Sequence, residues 1–182
     1  MNLIIGIVVL VLLGYVGWIF NRLVRDRNQV HAAWSDVDVQ LQRRHDLVPA
    51  LVESVRGYAG HERDLFTRVA AERSASRQAS GVAARADAET SLGFDLTRLV
   101  ALAEAYPDLK ASANFAQLSH ELVGVEDALQ HARRFYNGSV RQYNTHLERF
   151  PDLLIARAFG FRAAEFFAAE ADAQATPQVA LT

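Results

Sequence analysis

Between Leu3 and Phe20 the chain reads LIIGIVVLVLLGYVGWIF, eighteen residues without a charge. As a helix this stretch spans about 27 Å, close to the roughly 30 Å hydrocarbon core of a bilayer. Thirteen of its residues are Leu, Ile, Val or Phe, and near the bilayer centre each favours insertion by about 0.3 to 0.6 kcal/mol. The expectation is a transmembrane anchor over residues 1–22, carried by Leu3, Ile7, Leu10, Leu13, Trp18 and Phe20. Tyr15 and Trp18 lie toward its C-terminal end, where amphipathic rings prefer the interface. A cleaved signal peptide is the alternative. No basic residue precedes the apolar run, however, and WIFNRLVRDR passes straight into charges with no small-x-small cleavage site. Arg22, Arg25 and Arg27 flank one end of the run against only Met1 and Asn2 at the other. That asymmetry favours a short N-terminus outside and the remaining chain in the cytoplasm.

The rest reads as helices. Leu23, Val30, Trp34, Val37 and Leu41 form one apolar stripe with polar residues between them, as an amphipathic helix of bundle type requires. In RRHDLVP, residues 43–49, Asp46 suits an N-cap and Pro49 would fall in a first turn, where its missing N–H is harmless. Arg43, Arg44 and His45 would then close the preceding helix at the negative end of its dipole. The segment therefore reads as a tight corner between helices, with a His-Asp pair or an arginine anion site as the functional alternatives. Leu51, Val55, Tyr58, Phe66 and Val69 carry the second helix to about Ser76. Gly57 and Gly60 share a face within it and would admit a neighbouring backbone, the alternative being a hinge. The small, polar residues 74–90, with Gly81 as a helix stop, read as a connection. Leu92, Leu96, Leu99, Ala103 and Tyr106 mark a third helix ending at Pro107, and Asp108, Ser112 or Asn114 can cap the next. The fourth helix has the most regular stripe: Phe115, Leu118, Leu122, Val125, Leu129 and Ala132. After one stutter, Tyr136, Val140, Tyr143, Leu147 and Phe150 continue it over about 35 residues, until Pro151 ends it. The fold class expected is all-α: a transmembrane helix, an antiparallel up-and-down four-helix bundle over 23–150, and a Phe/Ala-rich segment over 151–182. That segment docks on the bundle, binds a partner or lies on the membrane surface, docking being the default.

The side chains offer little recognisable chemistry. With 19 Lys and Arg against 21 Asp and Glu, the net charge of −2 makes no electrostatic footprint for nucleic acid. Only Lys110 is a lysine, and there is no cysteine, which excludes disulfides, thiolate chemistry and cysteine metal sites. The six histidines show neither the i, i+4 pairs nor the Glu-x-x-His repeats of helical metal sites; a site assembled across helices is the remaining metal reading. No phosphate-binding glycine loop or nucleophile elbow occurs. Asn21 and Asn28, like Asn137 and Asn144, recur seven apart and share a helix face. These four asparagines, with Arg43, Arg44 and Asp46, are the candidate polar residues. They would fix register across the bundle, as isolated polar residues do in coiled coils, or form a binding stripe.

FNRLVRDRNQVHAAWSDVDVQLQRRHDLVPALVESVRGYAGHE, YPDLKASANFAQLSHEL and ARRFYNGSVRQYNTHLERFP together resemble the signatures of the LemA family of bacterial membrane proteins. The resemblance covers nearly the whole chain in order. Phe20 stands where the family usually has tyrosine, and Ala50 where it usually has asparagine. The resemblance implies one N-terminal transmembrane helix and an up-and-down bundle of four helices, in the bacterial cytoplasmic (inner) membrane. It brings no established enzymatic activity, cofactor or catalytic residue. A relative takes part in building magnetosome membranes, and the family's genes often neighbour those of other envelope proteins. The expectation is a non-catalytic, membrane-anchored scaffold with no cofactor, contacting lipid through its span and associating with envelope proteins and with copies of itself. The alternative is a lipid- or small-molecule-binding module using the bundle interior or the Phe-rich segment.

Overall fold

The computed structural model describes residues 1–167. Among them every regular element is helical: α1 (Asn2–Arg56), α2 (Arg63–Gln78), α3 (Val82–Ala105), the single turn α4 (Pro107–Lys110), α5 (Ala113–Glu148) and α6 (Asp152–Ala158). The chain divides into two compact units. Unit 1 holds residues 1–42 and 126–165; unit 2 holds residues 43–125 together with 166 and 167 among those described.

In unit 1, α1 begins with the apolar stretch. Leu3, Ile7, Leu10, Leu13 and Trp18 are exposed, whereas Ile19 and Leu23 are buried. Residues 3–18 are the part of α1 open to its surroundings, about 24 Å of helix. It is the one helix among the described residues long and apolar enough to cross a membrane. Phe20 belongs to the packed part, its ring 4.9 Å from that of Phe159 and 5.7 Å from that of Phe161. No break marks residue 22. The stripe expected beyond it is buried at Leu23, Val30, Val37 and Leu41, with Ala33 added. From α5 come Leu129, Tyr136, Val140, Tyr143 and Leu147, and the Trp34 and Tyr136 rings meet edge to face at 5.4 Å. Phe150, expected to end that stripe, lies outside it at 75 % exposure because α5 stops at Glu148.

The expected corner at residues 45–46 is absent. The helix α1 runs through Asp46, so no helix starts there, and carries Pro49 inside it. An interior proline removes the hydrogen bond to the carbonyl four residues back and crowds it. Here that carbonyl, on His45, accepts a hydrogen bond from Arg73 Nε of α2 at 2.8 Å. With the orphaned acceptor satisfied, the apolar stripe continues through Val48, Leu51 and Val55. The corner comes instead at residues 57–62. Gly57 and Gly60 open it, and the Val55 carbonyl accepts from both Tyr58 N and Ala59 N. No neighbouring backbone approaches either glycine closely, so both serve the turn and not a helix contact.

Downstream, Gly81 takes φ +88° as the residue before α3. The connection is therefore only residues 79–81, and the polar run from Val82 to Thr90 is helix. Pro107 does interrupt the chain, as the first residue of α4. Of the three expected caps for α5, Ser112 accepts from Phe115 N through its hydroxyl at 3.4 Å. The core of unit 2 joins Val48, Leu51 and Val55 of α1, Leu65, Phe66 and Val69 of α2, and Leu92, Leu96, Leu99 and Ala103 of α3. Ala59, Leu109, Phe115 and Leu122 complete it.

Candidate functional site

The most organised polar group lies inside unit 2. Arg44 and His45 project from α1 on the stripe that supplies Leu41 and Val48, and both are buried. Glu89 projects from α3 between the buried Ala86 and Leu92, and is fully enclosed. Arg44 Nη1 donates to Glu89 Oε2 at 2.9 Å and to the Glu89 carbonyl at 3.1 Å. His45 Nε2 donates to Glu89 Oε1 at 2.7 Å. The Ser76 hydroxyl, on α2, donates to the same carboxylate oxygen and lies 3.2 Å from His45 Nε2. One carboxylate thus ties three helices together.

Gly93 makes room for this arrangement. A Cβ there would fall 2.6 Å from Arg44 Nη2, so glycine is what lets the guanidinium lie against α3. Burial opposes ionisation of Glu89. The hydrogen bonds from His45 and Ser76 and the charges of His45 and Arg44 outweigh it, holding the carboxyl below its ordinary value.

Ser, His and Glu in contact invite comparison with a hydrolytic triad, and the geometry differs in the decisive respect. In a triad the hydroxyl and the carboxylate address opposite ring nitrogens, so that one nitrogen can take the hydroxyl proton. Here both face Nε2, which already points its hydrogen at Glu89. Ser76 is also fully buried, so no substrate reaches it. What the arrangement can do is hold α1, α2 and α3 together. Among the described residues no three carboxylate or imidazole groups converge as metal ligands would.

Of the candidate residues only Arg44 belongs to this cluster. Arg43 and Asp46 are exposed and line a groove of about 470 Å³ with Leu47, Glu121, Gly124 and Val125. Asn21 and Asn28 are exposed on α1, and Asn137 is half-buried on α5. Asn144 has a defined task in unit 1. Its Nδ2 donates to the Ala164 carbonyl at 3.0 Å, and its Oδ1 accepts from Ala164 N at 2.9 Å. Tyr136 donates to the Glu165 carbonyl at 2.8 Å. Burial, reinforced by the charge of Glu165, pushes that phenol above its usual value and keeps the donor protonated. The partner of Asn144 is therefore the main chain after α6 and not a side chain across a bundle. These bonds dock residues 164 and 165 of the Phe/Ala-rich segment on α5; its last residues, 168–182, lie outside the described residues. A second polar group in unit 1 joins Asp26 to His146 Nδ1 at 2.6 Å and to Gln142 Nε2 at 3.3 Å, while Arg22 bonds Asp152.

His45, weighed in the sequence as half of a His-Asp pair, pairs instead with Glu89; Glu89, Ser76 and Gly93 were not among the candidates. For Glu89 the signal was there: Ala86, Glu89, Leu92, Leu96 and Leu99 follow one stripe at steps of three and four, and a carboxylate on such a stripe calls for a buried partner.

A model described as the LemA family matches residues 33–181. Magnetosome protein MamQ of Magnetospirillum gryphiswaldense is 26 % identical over 174 residues, covering 81 % of this chain and 64 % of the relative. Magnetosome protein MamQ 2 of Paramagnetospirillum magneticum is 25 % identical over the same length, with the same coverage. Protein LemA of Metamycoplasma hominis is 29 % identical over 132 residues, covering 71 % of this chain and 60 % of the relative. The chain spans less than two thirds of the length of these curated relatives.

Proposed function

The chain belongs to the LemA family, and from that premise we propose that it is a non-catalytic scaffold anchored in the bacterial cytoplasmic membrane. The observation that carries this reading is α1. The helix that exposes Leu3 to Trp18 goes on, unbroken, to build the core of unit 1, so the anchor and the domain share one element. Exposed Leu, Ile and Val on every side of a helix have a favourable environment in lipid and none in water. The sealed state of the Arg44–His45–Glu89–Ser76 group supports a structural role for the chain's best-ordered polar residues.

We take the helices to form an antiparallel bundle. Trp34 meets Tyr136, Asp26 meets Gln142 and His146, and Arg22 meets Asp152. These pairs ascend along α1 as they descend along the later chain, which supports opposed directions. The arginines after the span favour a cytoplasmic domain. Confinement to a membrane raises the effective concentration of weak partners, so envelope proteins and further copies of this chain can be held without a large adhesive face. Relatives named as magnetosome proteins support a place in membrane organisation. A small-molecule module has weaker support, because the groove beside Arg43 and Asp46 is open at the surface.

Crosslinking in intact membranes followed by mass spectrometry tests the proposal. Photoreactive groups at exposed positions such as Asn28 and Arg43 should capture a reproducible set of envelope proteins or copies of the chain. Capture of neither would end the scaffold reading.

A further inference from the structure

We propose that α6 and the residues flanking it form a second membrane contact, a foot that rests in the lipid headgroup layer beside the span. This rests on the reading of residues 3–18 as membrane-inserted.

Both ends of α6 are fastened to the first turn of α1 beyond the exposed apolar stretch. At its start Asp152 bonds Arg22, and Arg22 in turn lies over the Trp18 ring, 4.8 Å from its centroid. Past its end Phe159 packs on Phe20 at 4.9 Å. If Trp18 sits at the interface, as its amphipathic ring favours, residues 152–159 are held at the same depth by these contacts.

The outward face of this element is unlike an ordinary wet surface. Phe150 is 75 % exposed, Leu154 57 % and Phe159 58 %. Phe150 and Leu154 stand four apart, and Leu154, Arg157 and Ala158 follow at helical spacing, all exposed. Two large rings and a leucine in water within ten residues forfeit apolar burial; the acyl boundary restores it. Arg149, Arg157 and Arg162 are exposed around them, and basic side chains beside an apolar face suit anionic headgroups. The clamp of Asn144 and Tyr136 on residues 164 and 165 fixes the far end of the same segment. The occupant is therefore the lipid surface.

The chain has no cysteine, so single cysteines can be placed at will. Leu154→Cys and Ala158→Cys, both outward on α6, would be spin-labelled in the full chain. The chain would be reconstituted dilutely in phosphatidylethanolamine–phosphatidylglycerol vesicles, with Leu10→Cys as the lipid reference and His31→Cys as the aqueous one. Retained helix content checks each variant's fold. The ratio of oxygen to nickel-chelate collisions is expected to be several-fold higher at 154 and 158 than at 31. Water-like ratios at 154 and 158 with a lipid-like ratio at 10 would remove the foot and leave the anchor standing. A water-like ratio at 10 would remove the anchor, and the foot with it. Low collision with both reagents and spin–spin broadening at 154 and 158 would assign the face to a second copy and overturn the proposal.

Discussion

At the scale of single residues, unit 2 turns on one carboxylate. Removing one partner from a buried ion pair costs about 3–5 kcal/mol, because the other charge stays desolvated, so Arg44→Ala should unfold far more readily in urea. Gly93→Ala separates packing from charge. Within a helix, alanine ordinarily gains about 1 kcal/mol over glycine; here its Cβ would press on a buried guanidinium that must leave its bonds to Glu89 to make room. Gly93→Ala is expected to destabilise the native chain and to stabilise the Arg44→Ala variant. A cycle with the same sign in both backgrounds would refute the steric account. The linkage to pH follows from the lowered Glu89 value. A carboxyl held below its unfolded value adds stability that is complete above about pH 4.3 and is lost as pH falls through the folded value. Glu89→Gln should therefore be less stable at neutral pH and show a shallower loss in acid. Urea melts followed by circular dichroism between about pH 3 and pH 7 measure both; parallel curves would count against the assignment. Glu89 was legible only as a carboxylate on the Ala86–Leu99 stripe, a signal masked by a run so small and polar that it reads as a connection; its partners on the other helices were not legible at all.

At the scale of elements, legibility depended on where a helix finds its partners. The stripe of α5 needs only regular apolar spacing, and the sequence displayed it from Phe115 to Leu147. The passage of α1 through Pro49 depends on Arg73, which sits on another helix and compensates a backbone group that has no letter in the sequence. A carbonyl stripped of its donor costs about 1–3 kcal/mol when buried. Arg73→Met is expected to cost that amount in the native background and much less beside Pro49→Ala, where the backbone N–H returns to His45. Equal costs in the two backgrounds, read from chemical denaturation, would show that Arg73 matters for another reason. The corner moved to residues 57–62 for the complementary reason. Two glycines lower helix propensity there, and no side chain restores it.

At the scale of the whole molecule, the long apolar N-terminal helix was legible, because composition and length mark such a stretch without reference to any partner. Its usable limit was not. Phe20 is as apolar as its neighbours, yet Phe159 and Phe161 claim it for the folded part, and only coordinates reveal such a claim. Sidedness is open to direct measurement. Ser35→Cys, exposed on α1, should resist an impermeant maleimide in intact cells and react after lysis, while Asn2→Cys should react at once. Labelling of Ser35→Cys without lysis would reverse the orientation drawn from the arginines.

The Asn144 clamp carries a last corollary. A carboxamide offers the same donor and acceptor as a peptide group, so it grips Ala164 without regard to what hangs from that residue's Cα. Position 164 is thus indifferent to side-chain identity with one exception: proline, which has no amide hydrogen to give, would leave half of the grip empty.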